Sequence, residues 1–132
     1  MDIDPFLSTS AIGCIVAQRL ARRLCKRCKE PTHVSETVLR HVGFPFELWQ
    51  EKPTFHKPVG CEDCRDGYLG RIGVYELMPM TEEVETLALS RSSADEIGRV
   101  AVKGGMVRMR ADGLLKAACG ITSIEEVLRT TV

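Results

Sequence analysis

The feature that most constrains this chain is its two Cys-x-x-Cys pairs, Cys25 with Cys28 and Cys61 with Cys64, which residues 29–60 separate. Two residues between the cysteines let both sulfurs of a pair face one point, and two such pairs supply the four thiolates of a tetrahedral zinc site. We therefore predict that these four cysteines bind one Zn²⁺. Because four protein sulfurs leave no ligand position for water or substrate, the zinc should be structural.

Two other uses of the four thiolates remain open at this point. A redox-active dithiol needs a Cys-x-x-Cys at a helix N-terminus, and an iron–sulfur cluster also takes four cysteines. Structural disulfides are a poorer explanation, because a chain of 132 residues can bury roughly two-thirds of its unfolded surface without them. The acidic start, with Asp2 and Asp4, lacks the cations of a signal peptide and predicts a cytoplasmic chain.

The charges balance, with 18 Lys+Arg against 18 Asp+Glu and a formal net charge of zero. This balance argues against a globally basic nucleic-acid binder. Six cations nevertheless cluster with no acid among them: Arg19, Arg22, Arg23, Lys26, Arg27 and Lys29. We interpret this cluster as a solvated face, with contacts to a neighbouring subunit or to anionic headgroups as the alternatives.

Apolar residues before the first cysteine pair recur at helical spacing and predict one amphipathic helix from Ser8 or Ser10 to Leu24. After that pair, a short helix should run from Ser35 to His41 and end at Gly43. The apolar run before Trp49 indicates a local core, and the prolines that follow interrupt regular structure.

A strand from Ile72 to Met78 should follow the second cysteine pair, with Tyr68 and Phe55 in the same small sheet. The glycines at 67, 70 and 73 suit a tight knuckle and a strand better than a phosphate cradle, because no helix N-terminus follows them.

The C-terminal part predicts helices with recognisable caps. Thr81 can begin a helix to about Leu89, and Ser93 with Glu96 has capping-box spacing. A further apolar stripe ends at Gly120, and Thr122 with Glu125 predicts the cap of a last helix.

The sequence thus predicts a mostly helical α+β fold in three parts. Residues 1–24 form an N-terminal amphipathic helix, 25–79 a tetracysteine zinc subdomain with a small β-sheet, and 80–132 a helical bundle. The longest apolar run, residues 11–17, is shorter than the roughly 20 residues that span a bilayer.

Other residues with possible chemistry have simpler interpretations. Cys14 and Cys119 lie on apolar stripes and should be buried as small hydrophobes. The three histidines, His33, His41 and His56, should lie at the surface, although one of them can replace or support a thiolate ligand. No phosphate-binding Gly-x-x-x-x-Gly-Lys-[Ser/Thr] loop, dinucleotide motif or nucleophile elbow is present.

The joint order of these motifs resembles the C-terminal region of the type II secretion ATPases and the type IV pilus assembly ATPases. The resemblance covers nearly the whole chain. The matching motifs are Pro5-Phe6-Leu7, Val16 to Cys25, Cys28, Gly60-Cys61, Cys64, Gly67-Tyr68, Gly70-Arg71, Gly73 to Leu77, Gly105-Met106, Asp112 to Leu114, Gly120 to Thr122 and Glu126 to Leu128.

The resemblance implies a part of a hexameric cytoplasmic motor that lies peripherally at the inner membrane. Its partners would be the rest of the parent ATPase, the neighbouring subunits and an inner-membrane platform protein. The family's Walker A, aspartate-rich, Walker B and histidine elements lie upstream of Pro5. We therefore expect an excised part of a longer chain that is not itself an enzyme, with ATP and Mg²⁺ bound only by the full-length parent.

In this interpretation, zinc holds the first helix against the strand around Gly70 to Leu77 and makes a rigid lever. A zinc-ribbon module that binds nucleic acid through the basic cluster is the main alternative. Aromatic residues make up only 5% of the chain, which disfavours stacking on bases. A free-standing structural adaptor is the third possibility.

Overall fold

The computed structural model describes residues 4–131, and they form a mixed α+β chain, as predicted. The elements are α1 (Pro5–Ala11), β1 (Cys14–Leu24), β2 (Glu30–Thr32), α2 (Glu36–Val42), a 3-10 turn (Phe46–Leu48), β3 (Phe55–Lys57), β4 (Tyr68–Pro79), α3 (Glu82–Leu89), α4 (Ala94–Lys103), α5 (Met109–Ala118) and α6 (Ile124–Thr130).

The chain divides into two compact units that each combine distant segments. The first unit comprises residues up to Ala17 together with Glu76–Arg108, and the second comprises Gln18–Tyr75 together with the chain from Met109 onward. This division differs from the three consecutive parts drawn from the sequence, because contacts join segments that lie far apart along the chain.

In the first unit, α3 and α4 pack around a small core of Val84, Ala101 and Met106. Both helices begin as predicted. The hydroxyl of Thr81 accepts the N–H of Val84, and Ser93 forms a complete capping box with Glu96. These caps satisfy main-chain donors that the first turn of a helix leaves unpaired.

In the second unit, α5 and α6 pack with the insert between the cysteine pairs. The buried core brings together Leu39, Phe44, Phe55, Leu114, Ala117, Ala118 and Val127. The ring of Phe44 makes edge-on contacts with Phe46, Trp49 and Phe55, with centroids 5.0, 6.4 and 5.8 Å apart. The local core predicted around Trp49 is therefore confirmed, and it joins the main core of this unit.

Two two-stranded sheets are present in the described chain. β2 pairs antiparallel with β3, placing Glu30 opposite Lys57 and Thr32 opposite Phe55, while β1 pairs with β4. The predicted strand from Ile72 to Met78 is confirmed and extends from Tyr68 to Pro79, so Tyr68 belongs to its sheet as predicted. The placement of Phe55 in that sheet is wrong, because Phe55 lies in β3, which pairs with β2.

The predicted helix from Ser8 or Ser10 to Leu24 is wrong at both ends. Asp4 caps α1, which ends at Ala11, and Cys14–Leu24 is strand β1. Val16, Leu20 and Leu24 lie four residues apart, which places them on one face of a helix. Because four is an even number, the same spacing also places them on one face of a strand. Pairing with β4 stabilises the strand.

The helices after residue 80 pack in pairs within the two units, and the single bundle expected for 80–132 stays a prediction. α3 packs with α4 in the first unit, and α5 packs with α6 in the second. The predicted cap of α6 is also displaced by one residue, because Ser123 accepts the N–H of Glu126. Cys14 and Cys119 are exposed, so their predicted burial is wrong as well.

A buried carboxylate ties α6 to the end of β1. The side chain of Glu126 is 0% exposed and accepts the main-chain N–H of Arg22 at 2.9 Å. The guanidinium groups of Arg22 and Arg129 each donate two further hydrogen bonds to it, at 2.6–3.1 Å. Burial alone would raise the pKa of Glu126, but the hydrogen bonds from Arg129 and Arg22 outweigh it and lower the pKa to about 2.

This network predicts a specific loss of stability in acid. Because the folded pKa of Glu126 lies below its unfolded value of 4.5, its contribution is complete above that value and is lost as the pH falls toward 2. The shift corresponds to roughly 3 kcal/mol. In urea unfolding, the wild-type advantage over Glu126→Gln should shrink by this order between pH 5 and pH 2. A difference that is constant with pH would contradict this account.

Candidate metal centre

The first cysteine pair lies in a turn directly after β1. The N–H of Lys29 donates to the carbonyl of Cys25 at 3.0 Å and closes the turn. The N–H of Cys25 donates to the carbonyl of Gly67 at 2.9 Å, close to the start of β4. Main-chain hydrogen bonding thus holds this pair beside the chain that follows the second pair.

The second pair lies in a turn just before β4. The N–H of Cys64 donates to the carbonyl of Cys61 at 3.3 Å. Gly67 follows with φ +86°, and a Cβ at this position would lie 2.5 Å from the Cβ of Pro58. Only glycine fits both this left-handed backbone and this close approach, which confirms the predicted tight knuckle.

The structure brings all four predicted ligands together. Their sulfurs lie within 4.8 Å of one another, although residues 29–60 separate the two pairs. The Sγ–Sγ distances are 3.9 Å for Cys25 and Cys61, 3.7 Å for Cys28 and Cys64, and 3.6 Å for Cys61 and Cys64. Four sulfurs at the usual Zn–S distance of about 2.3 Å lie about 3.8 Å apart at the corners of a tetrahedron. The arrangement therefore fits one tetrahedral metal ion.

Main-chain donors surround the sulfurs. The N–H of Gly60 donates to Cys28 Sγ, and that of Cys61 donates to Cys64 Sγ, both at 3.3 Å. The N–H of Arg27 lowers the pKa of Cys25 to about 7 against the effect of burial. Burial and the hydrogen bonds within the cluster, first of all with Cys64, raise the pKa of Cys61 to about 12. A divalent cation bound at the centre would displace the remaining thiol protons.

The basic cluster predicted from the sequence does not act as one surface. Arg22 bonds to Glu126, Lys29 donates to the carbonyl of Gly120 at 2.7 Å, and Arg27 pairs with Asp63 across the two knuckles. The Arg27 and Asp63 side chains are 70% and 42% exposed, so their ion pair contributes little to stability.

None of the histidines lies in the metal-capable group found among residues 4–131. His33 and His41 are exposed, as predicted. His56 is half-buried on β3, and its Nδ1 is a buried atom without a hydrogen-bond partner in the described chain.

The structure around the cysteine pairs also bears on the redox-dithiol and iron–sulfur alternatives. Neither cysteine pair begins a helix, since β2 follows the first and β4 follows the second. This arrangement lacks the helix N-terminus that activates a redox dithiol. A multi-iron cluster is larger than one ion and would hold its thiolates farther apart than these sulfurs lie.

Comparison with known proteins gives the family of the chain. The family model described as type II/IV secretion system protein matches residues 1–129. The chain belongs to this family. Within residues 4–131, the structure contains no helix that is both long enough and apolar enough to cross a membrane.

Three relatives show how the chain matches the type II/IV secretion family. The type IV pilus assembly ATPase PilB of Acinetobacter baylyi is 41% identical over 132 residues, which are 99% of this chain and 23% of the relative. PilB of Myxococcus xanthus is 42% identical over 133 residues, which cover 99% of this chain and 23% of the relative. Type II secretion system protein E of Pseudomonas aeruginosa is 39% identical over 132 residues, which cover 99% of this chain and 26% of the relative. The chain spans about a quarter of the length of these curated relatives.

Sequence reasoning missed two groups that the fold of this secretion-family chain brings together. Glu126 belongs to the last helix and to a matching family motif, and nothing in its local sequence indicates Arg22 as its partner. Arg71 appears in the sequence only as part of the Gly70-Arg71 family motif, but it lies beside the first knuckle in the folded chain. A strand pairing of β1 with β4 would have been the signal for Arg71.

Proposed function

We propose that this chain is the zinc-binding, force-transmitting part of a secretion or pilus-assembly ATPase. The observation that carries the zinc assignment is the tetrahedral spacing of Cys25, Cys28, Cys61 and Cys64. Family membership and the relatives' names support the motor assignment over a zinc-ribbon module that binds nucleic acid.

In this proposal, zinc makes one stiff body from several parts of the second unit. The ion would bond the end of β1 to the start of β4, where Cys25 already donates to Gly67. The contact between Tyr68 and Ser123, whose hydroxyl oxygens lie 2.7 Å apart, extends this body to α6. A stiff body of this kind can pass on a movement that a flexible loop would absorb.

The exposed apolar side chains suit coverage by the rest of a longer polypeptide. In the second unit, Leu20 and Leu69 are 49% and 59% exposed, and in the first unit Phe6 and Leu7 are 65% and 64% exposed. We propose that the remainder of the parent ATPase and its neighbouring subunits cover these side chains. Exposed apolar patches commonly mark such interfaces.

Nucleotide chemistry belongs elsewhere in the parent under this proposal. The chain carries no Walker A sequence, and its four thiolates would complete a closed metal shell. ATP and Mg²⁺ would bind to the parent chain, which would work as a hexamer on a platform protein at the cytoplasmic side of the inner membrane. This chain would transmit movement without catalysing hydrolysis.

Zinc binding should depend on the clustered cysteines alone. Cys25→Ser replaces a thiolate with a poor ligand, so it should abolish stoichiometric zinc binding. It should also lower the melting temperature by on the order of 10 °C or more. Cys14→Ser is the matched control, because Cys14 is exposed and lies outside the cluster. Metal analysis and thermal melting measure both effects, and equal zinc content in the two variants would refute the site.

The motor role is tested in the full-length parent ATPase. Disrupting the zinc shell with Cys61→Ser should reduce stimulated kcat by about tenfold to a hundredfold, since misplaced parts disrupt catalytic alignment. The KM for ATP should change little, because the nucleotide contacts lie outside this chain. Steady-state assays with Cys14→Ser as control separate the two parameters. Wild-type kcat in a Cys61→Ser protein that has lost its zinc would count against force transmission through this part.

A further inference from the structure

An open cavity of about 310 Å³ lies beside the first cysteine knuckle, within the second unit. Basic side chains from three places in the fold line it: Arg23 from β1, Lys26 and Arg27 from the knuckle, and Arg71 from β4. No acidic side chain is part of its wall. This basic cavity therefore concentrates positive charge although the whole chain has a formal net charge of zero.

Three of these cations have no counterion in the part of the chain that the structure describes. Arg27 is paired with Asp63, but Arg23, Lys26 and Arg71 make no ion pair or side-chain hydrogen bond with residues 4–131. Cations that line one cavity raise its local positive potential, which attracts a multiply charged anion.

The cations do not serve as direct partners of the thiolates. Main-chain N–H groups of Gly60 and Cys61 donate to the sulfurs, and the described chain shows no lysine or arginine side chain in contact with them. A zinc tetrathiolate would carry a net negative charge, and this charge would favour cations in its neighbourhood in general. It does not account for three unpaired side chains that line a common cavity.

A glycine with a left-handed backbone forms part of the cavity wall. Gly70 lies on its wall with φ +81°, and a Cβ there would lie 3.8 Å from Cδ of Arg23. A larger side chain at position 70 would be strained and would point toward the arginine. Glycine therefore suits the left-handed backbone here and leaves the wall beside Arg23 without a side chain at position 70.

We propose that the basic cavity binds the diphosphate group of a small anion. Arginine donates paired hydrogen bonds that match phosphate oxygens, and a lysine adds a compact charge. Several clustered cations suit the multiple charges of a diphosphate better than the single charge of a carboxylate. The volume lies at the lower end of the range for small-molecule sites. The proposal goes beyond the zinc and motor assignments.

The test is calorimetric titration of inorganic pyrophosphate into the zinc-supplemented 132-residue chain at low ionic strength. We expect one site per chain, with affinity that weakens as salt is added. Arg23→Gln, Lys26→Gln and Arg71→Gln should each weaken binding about tenfold, because each removes a charged hydrogen bond. Arg19→Gln is the matched control, since Arg19 belongs to the same basic run but does not line the cavity.

Metal content and circular dichroism verify that each variant keeps its fold, independently of pyrophosphate. Titration of ADP and sedimentation with phosphatidylglycerol vesicles then distinguish a soluble diphosphate from a lipid headgroup. Binding of pyrophosphate that depends on Arg71 and not on Arg19 supports the site, whichever source binds better. A folded chain that binds no pyrophosphate, that binds vesicles only, or that responds equally to Arg71→Gln and Arg19→Gln overturns it.

Discussion

The convergence of four sulfurs on one point is the constraint on which the second unit depends. The two knuckles fix the end of β1 and the start of β4, and residues 29–60 between them become a closed insert. Closing a loop of this length costs chain entropy, and in our proposal the free energy of zinc binding to the folded chain offsets that cost. The short β2 and β3 and the helix α2 can then pack their apolar side chains on α5 and α6.

Glu126 provides the second long-range tie in the same unit. A buried carboxylate is costly unless its oxygens are fully hydrogen-bonded, and here five donors from Arg22 and Arg129 approach them. The Arg22 guanidinium also lies 4.1 Å from the centroid of the Tyr68 ring, so β1, β4 and α6 meet around one group. Arg27 and Asp63 also form an arginine–carboxylate ion pair, but their side chains are exposed. Because solvent screens this pair, it contributes much less to stability than the Glu126 network.

The sequence predicts those features whose physical cause is local. The metal ligands follow from cysteine spacing, and α3 and α4 follow from caps that lie within three residues of their partners. β1 could not be distinguished from a helix, because its apolar spacing of four satisfies both periods and the deciding partner, β4, lies far along the chain. The Glu126 network depends on the contact of α6 with β1, and the basic cavity depends on the pairing of β1 with β4. No local pattern encodes either contact.

The central claim is that the four clustered cysteines enclose one zinc ion as a complete tetrahedral shell. X-ray absorption at the zinc edge, measured on the purified chain, tests this claim most directly because it reports the ligand atoms themselves. The account predicts one zinc per chain with four sulfur neighbours at about 2.3 Å and no nitrogen or oxygen neighbour. A shell that contains nitrogen or oxygen, or a correctly folded chain that takes up no zinc, would contradict it.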